Sequence, residues 1–318
     1  MELGAIVVVP ESPCTFQSVS REASCPLPLW PVAGKNLIQD WSDKVRRIGA
    51  SIVAVTPGGD GSTASRKFQA AWNLAKQGVE QLLVISVKSY AEIDLVDFVK
   101  FHRDAQNPAS EACDHEGSLG VELLSSKTLN PSNIFSGSNS PNGNNAVRYS
   151  FNGYAKRLHS VKLYRDLVSD ALRGRCALTP SGLQTGDRVW IGQNTRIAPS
   201  VRFLGPCFVG DGTVLRDFVS IGPYATVENR CRVESGTTIS GSSVMPNTFL
   251  SAGLNIRRSI VDGSRLEHLD SGIIVDLSSS ALGGRIPAKA QVVEDYQASP
   301  LSFRGAAGSG GAARLVDA

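Results

Sequence analysis

Between residues 1 and 105 the apolar positions alternate between two rhythms. Residues 4–9 (GAIVVV) are an unbroken run of small and β-branched side chains, the pattern of a strand covered on both faces. Leu37, Ile38, Trp41, Val45 and Ile48 then recur at helical spacing before Gly49, predicting a helix over 37–48. The same reading places strands at 51–55 and 81–87. It places helices at 66–77 and 94–103, the latter with Leu95, Phe98, Val99 and His102 on one side. Strands alternating with helices of this length predict a parallel sheet with helices on its faces. Residues 106–150 break the rhythm and read as loop-rich, most of all the Ser/Asn/Gly/Pro stretch SNIFSGSNSPNGNNAV. A helical pattern returns over 154–173 and stops at Gly174.

From Ile191 the period changes to six. Ile191, Ile197, Phe203, Val209, Leu215, Ile221, Val227, Val233, Ile239 and Met245 are all apolar. At the chain's apolar fraction, chance fills ten such positions in one of the six registers roughly once in 1,000 trials, so the period is a structural signal. Four residues after the first nine of these stand small or β-branched ones: Thr195, Val201, Cys207, Thr213, Val219, Ala225, Cys231, Thr237 and Ser243. A hexad suits a short strand and a tight bend. Three hexads make one coil of 18 residues, whose strands stack about 4.8 Å above the previous turn. Large aliphatics would fill the interior and small residues the corners, with Cys207, Ala225 and Ser243 in one corner column. The final stretch, 300–318, is a small-residue tail with nothing to bury and is expected to be disordered.

Composition narrows the classes. The chain has 318 residues, 42% hydrophobic and 19% charged, with a net charge of +3. That charge is too small to argue for nucleic acid or an anionic membrane. No apolar run reaches the ~18 residues of a membrane span, and the first residues lack the basic head of a signal peptide. Six scattered cysteines form no CxxC pair and no zinc pattern. Reduced thiols and a cytoplasmic location are therefore expected.

Three segments carry a resemblance. Residues 26–38 (PLPLWPVAGKNLI) are similar to PKPLLPVAGKPLI of the sugar-1-phosphate nucleotidyltransferases, in particular the mannose-1-phosphate guanylyltransferase and glucose-1-phosphate transferase branches. Glu92-Ile93-Asp94-Leu95 followed by Phe101-His102-Arg103 resembles that family's helix ending in FHR. Gly153-Tyr154, with Tyr164-Arg165-Asp166-Leu167 and Gly174, resembles its GYWxDIGTPExY segment. The resemblance implies an α/β fold: a shortened Rossmann-like nucleotidyltransferase domain over 1–175, then a left-handed parallel β-helix of hexapeptide repeats over 185–285. The handedness comes from the resemblance, since ordinary crossover rules favour the right-handed connection.

The family's chemistry is not carried over with it. Where the family has GGxGTRL, residues 10–18 read PESPCTFQS, with no glycine to let phosphate approach the backbone and two prolines that remove donors. The family's PKP lysine falls on Leu27, and its two magnesium-binding aspartates fall on Lys88 and Arg157. The remaining candidate anion or nucleotide loop is Gly59, Gly61, Ser62 and Thr63, which enters a helix and resembles the family's LGTAGA segment; a plain turn with an N-cap is the simpler explanation of it. The resemblance thus implies a catalytically degenerate relative, with no metal site. It would act as a regulatory or scaffold subunit in nucleotide-sugar or polysaccharide metabolism, as a homo- or hetero-oligomer joined through the β-helix. A sugar-nucleotide ligand is compatible with it, whereas nucleic acid and a membrane span are not expected. Two alternatives stand beside it. One is an active, Mg2+-dependent NDP-sugar pyrophosphorylase. The other is a hexapeptide-repeat acyltransferase with His268 as base. Of the other histidines, His102 reads as a packed core or boundary residue and His159 as a solvated loop residue.

Overall fold

The computed structural model describes residues 3–9, 27–55, 78–125, 146–278 and 282–286. The 10–18 segment, the candidate loop Gly59, Gly61, Ser62 and Thr63, the helix expected at 66–77 and the 300–318 tail lie outside them. The protein is mixed α/β and divides into two compact units. One is Met1–Asp170 with Cys176–Leu178; the other is Ala171–Arg175 with Thr179–Ala318.

In the first unit β1 (Leu3–Val8) pairs in parallel with β2 (Ser51–Val55) on one side and β3 (Gln81–Ser86) on the other. Every residue of β1 is buried, as its unbroken apolar run requires. Helix α1 (Leu37–Arg47) starts where Asn36 Oδ1 accepts the Ile38 N–H, and it buries Leu37, Trp41 and Val45. β4 (Ser89–Ala91) precedes α2 (Leu95–Asp104), which is capped by the Asp94 carboxylate and buries Leu95, Phe98, Val99 and His102.

The sheet is not purely parallel. β5 (Ala109–Asp114) and β6 (Gly117–Ser125) form a hairpin inserted antiparallel beside β3, and β7 (Val147–Ser150) completes the order β2-β1-β3-β6-β5-β7. The loop-rich reading of 106–150 therefore fails over 109–125 and 147–150. β5 packs small residues (Ala109, Ser110, Ala112, Cys113), which give little apolar periodicity. The turn between β5 and β6 is held by Asp114 Oδ1, which accepts the N–H groups of Glu116 and Gly117. Likewise the helix expected from 154 begins later. Ala155–Arg157 is β8, paired with β4, and α3 spans Val161–Arg173.

The second unit turns the hexad into parallel strands. Each circuit of the chain adds one short strand to each of three sheets, and strands one circuit apart pair in parallel. Ile191, Val209 and Val227 stand in one inward column, Ile197, Leu215 and Val233 in a second, and Phe203, Ile221 and Ile239 in a third. Most of these aliphatics are sealed in a single core. Each fully buried one contributes about 1.5–3 kcal/mol.

The strict period of six ends at Gly241. The bend after Ile239 is one residue shorter, so Val244, not Met245, stacks on Val227. Leu250 stacks on Val233 and Ile256 on Ile239, each 17 residues on. The turn residues record the same slip. Asn194, Gly212 and Arg230 take left-handed φ at intervals of 18, followed by Asn247 at 17. Ser243 consequently leaves the corner column expected for it. It pairs with the outward Thr226, whose hydroxyl donates to Ser243 Oγ at 2.8 Å.

Corner residues turn out to be hydrogen-bonding bridges as well as small. Thr213 Oγ1 donates to Glu228 O and accepts the Cys231 N–H one circuit up. Thr237 Oγ1 donates to Ser251 O at 2.7 Å and accepts the Leu254 N–H. Ser242 Oγ accepts the Ser259 N–H at 3.0 Å. Cys231 stands in the same role, its thiol donating to Met245 O at 3.1 Å. The glycines that follow the inward residues have a separate cause: a Cβ on Gly210 would fall on the Asn229 side-chain oxygen, which accepts the Asp211 N–H.

Candidate functional site

In open sheets of this kind ligands sit beyond the carboxyl ends of the parallel strands. There the chain leaves β3 through Val87, whose N–H donates to Val8 O, and turns at Lys88. The β4–β8 pairing sets Ser89 opposite Arg157, and Leu158 N–H donates to Lys88 O at 2.8 Å. Two of the three sequence-selected positions thus adjoin: Lys88 lies in the turn just before β4, and Arg157 ends β8, the strand paired with β4. Leu27 is fully buried in the core at the start of a short 3-10 turn and offers no polar group. The fourth element, Gly59 to Thr63, lies outside the described residues.

Arg157 is held by carboxylates that sequence reading passed over. Its Nη2 donates to Asp114 Oδ1 at 2.6 Å and its Nη1 to Asp114 Oδ2 at 2.9 Å, a bidentate fork. Nη1 also meets Glu116 Oε2 at 2.8 Å, and Nη2 meets Gly117 O at 3.2 Å. Asp114 is 8% exposed and Arg157 20%. The guanidinium, followed by the Glu116 N–H, holds the Asp114 carboxyl below its ordinary range despite the opposing cost of burial. Asp114 in turn raises Arg157. With its fork filled, Arg157 ties β8 to the β5–β6 turn and does not offer its charge to an incoming anion. The available signal was the Asp-His-Glu-Gly turn, two carboxylates flanking a tight hairpin. Lys88 keeps its side chain exposed.

A second polar group in this unit is structural in layout. Tyr90, fully buried, donates to Glu92 Oε1, which also accepts the Ala177 N–H. Tyr154 donates to Asp170 Oδ2 at 2.7 Å. Lys44 pairs with Asp40 at 2.8 Å and lies over the rings of Trp41 and Tyr90. Burial, aided by Glu92 and Asp170, pushes the Cys176 thiol up to about 11, so it is no nucleophile near neutrality.

The histidines separate clearly. His102 is buried, with Nδ1 2.9 Å from Ser110 Oγ and Nε2 3.0 Å from Ser125 Oγ, the packed role expected of it. His268 is half-buried at the end of the strand Arg265–His268, with Nδ1 3.1 Å from Ser271 Oγ in the following turn. His159 is exposed. Four cysteines among the described residues, Cys113, Cys176, Cys207 and Cys231, are free thiols. Burial raises Cys207 and Cys231 to about 12. No described helix is long and apolar enough to cross a membrane. Neither a scan of protein-family models nor a search of curated proteins finds a match for this chain.

Proposed function

We propose that the chain is a catalytically degenerate relative of the sugar-nucleotide pyrophosphorylases. In this reading it serves as a regulatory or scaffold subunit in nucleotide-sugar or polysaccharide metabolism. Its first unit is a shortened Rossmann-like nucleotidyltransferase domain, and its second a left-handed parallel β-helix through which it assembles. The observation that carries the reading is the Arg157–Asp114–Glu116 cluster. In the resembled family an aspartate at that position holds magnesium. Here a guanidinium stands there, already satisfied by two carboxylates. Magnesium needs oxygen ligands, and Lys88, in the turn before β4, with Arg157, on the strand paired with β4, presents two cations, so these residues do not fit a divalent ion. Nucleotidyl transfer rests on positioning and on cations that neutralise developing charge. A guanidinium neutralised from within supplies neither.

A thermal-shift panel of nucleotides and NDP-sugars, with and without magnesium, tests the reading, because a ligand that binds the native state stabilises it by an amount that grows with the logarithm of its affinity. The expected result is that magnesium adds nothing to any shift, whether or not a sugar nucleotide binds. A shift that appears only with magnesium, and is lost when Asp114 is replaced by Asn, overturns it.

A further inference from the structure

We propose that the strand Ile274–Asp276 is a self-association edge, along which two copies of this chain pair antiparallel about a two-fold axis at Ile274. This deepens the assembly part of the reading above and rests on it. The strand closes the eight-stranded sheet, and no described strand pairs with its outer side. Ile273, Ile274 and Val275 are 59%, 50% and 43% exposed, three consecutive apolar residues whose side chains alternate between the two faces. Edges are normally protected by Lys, Arg, Pro or a bulge. Residues 271–277 (SGIIVDL) contain no Lys, Arg or Pro.

The hydrogen bonds fix which groups are on offer. His268 N–H donates to Ile273 O at 2.9 Å and Leu277 N–H to Ser264 O at 2.6 Å, so residues 273, 275 and 277 turn their main chain inward. In an antiparallel ladder the intervening residues turn theirs outward. Ile274 therefore presents both its N–H and its C=O at the free edge. A two-fold axis at Ile274 pairs these groups with the same groups of the second copy. It sets Ile273 opposite Val275 on both sides. It also sets each Asp276 opposite Gly272, which keeps the two carboxylates from facing one another. An axis one residue away, at Val275, would also pair outward groups, those of Ile274 with those of Asp276, but it sets each Asp276 carboxylate beside Ile274 and not beside Gly272. Pairing of this type closes at two copies. So short an edge falls below the roughly 800 Å² per partner of a stable interface, which makes the dimer dissociable.

Sedimentation velocity of the full chain over about a hundredfold concentration range tests the proposal. The expected result is a reversible monomer–dimer equilibrium that weakens at least tenfold in Ile274→Lys and in Val275→Lys, with melting temperatures unchanged. Phe218→Ser, on an exposed turn of the coil, should leave it intact. Association that persists in both lysine variants overturns this edge while leaving assembly through the coil standing. A chain that stays monomeric throughout overturns both.

Discussion

The two units encode their folds in opposite ways. In the coil each structural decision is repeated: an inward aliphatic, a hydroxyl or thiol corner and a left-handed turn residue return every circuit. One substitution leaves the pattern readable, and the energetic load is spread over equivalent neighbours. In the first unit every decision is made once. A single Asn36 caps α1, a single His102 joins α2 to β5 and β6, and a single Arg157 joins β8 to the β5–β6 turn. Repetition gives legibility and redundancy; single-copy contacts give specificity and points of failure.

The comparison breaks most sharply where redundancy cannot help. Val233→Asp would place a carboxylate in the sealed interior with no partner. It should cost more than about 4 kcal/mol, read as loss of the second unit's transition in urea unfolding. Arg157→Ala tests the single-copy side. It strands the nearly buried Asp114, and after allowing for the partial exposure of the pair it should cost about 2 kcal/mol. Arg157→Lys should recover only part of this, because an ammonium cannot fill the bidentate fork.

Smaller effects sharpen the contrast. Thr237→Val keeps the corner's shape and removes its bridge, for about 1 kcal/mol. Cys231→Ser, which keeps a donor at a corner, should cost less. His102 gives a pH signature instead. Burial, with Arg103 beside it, lowers its folded pKa below the ordinary 6.5. The unfolded chain therefore takes up the proton first, and the stabilisation present above pH 6.5 is lost as pH falls below it. Thermal melts from neutral to mildly acidic pH should show this slope, flattened in His102→Gln.

Legibility followed the same division. The hexad announced the parallel coils because ten apolar residues share one register. It overran by a residue because the shortened bend at Gly241 is built from Ser and Gly, which carry no apolar mark. Helices α1 and α2 were legible from the spacing of their apolar residues, and α1 also from its stop at Gly49. The β5–β6 hairpin was missed because β5 buries alanine, serine and cysteine in place of large aliphatics. Lys88 and Arg157 were found by resemblance and do adjoin. Asp114 and Glu116, which decide what Arg157 can do, were not found, since nothing in one dimension links a hairpin turn to a strand 40 residues later.

In the proposed reading the Arg157 charge is spent inside the fold, and the nucleotidyl transfer of the resembled family is lost with it. The most direct measurement is pyrophosphate release from GTP and mannose-1-phosphate, or from a nucleoside triphosphate and glucose-1-phosphate, by the full chain with and without magnesium. The expected result is release no faster than the protein-free control in either case. Magnesium-dependent release that disappears on Lys88→Ala or Arg157→Ala would contradict it.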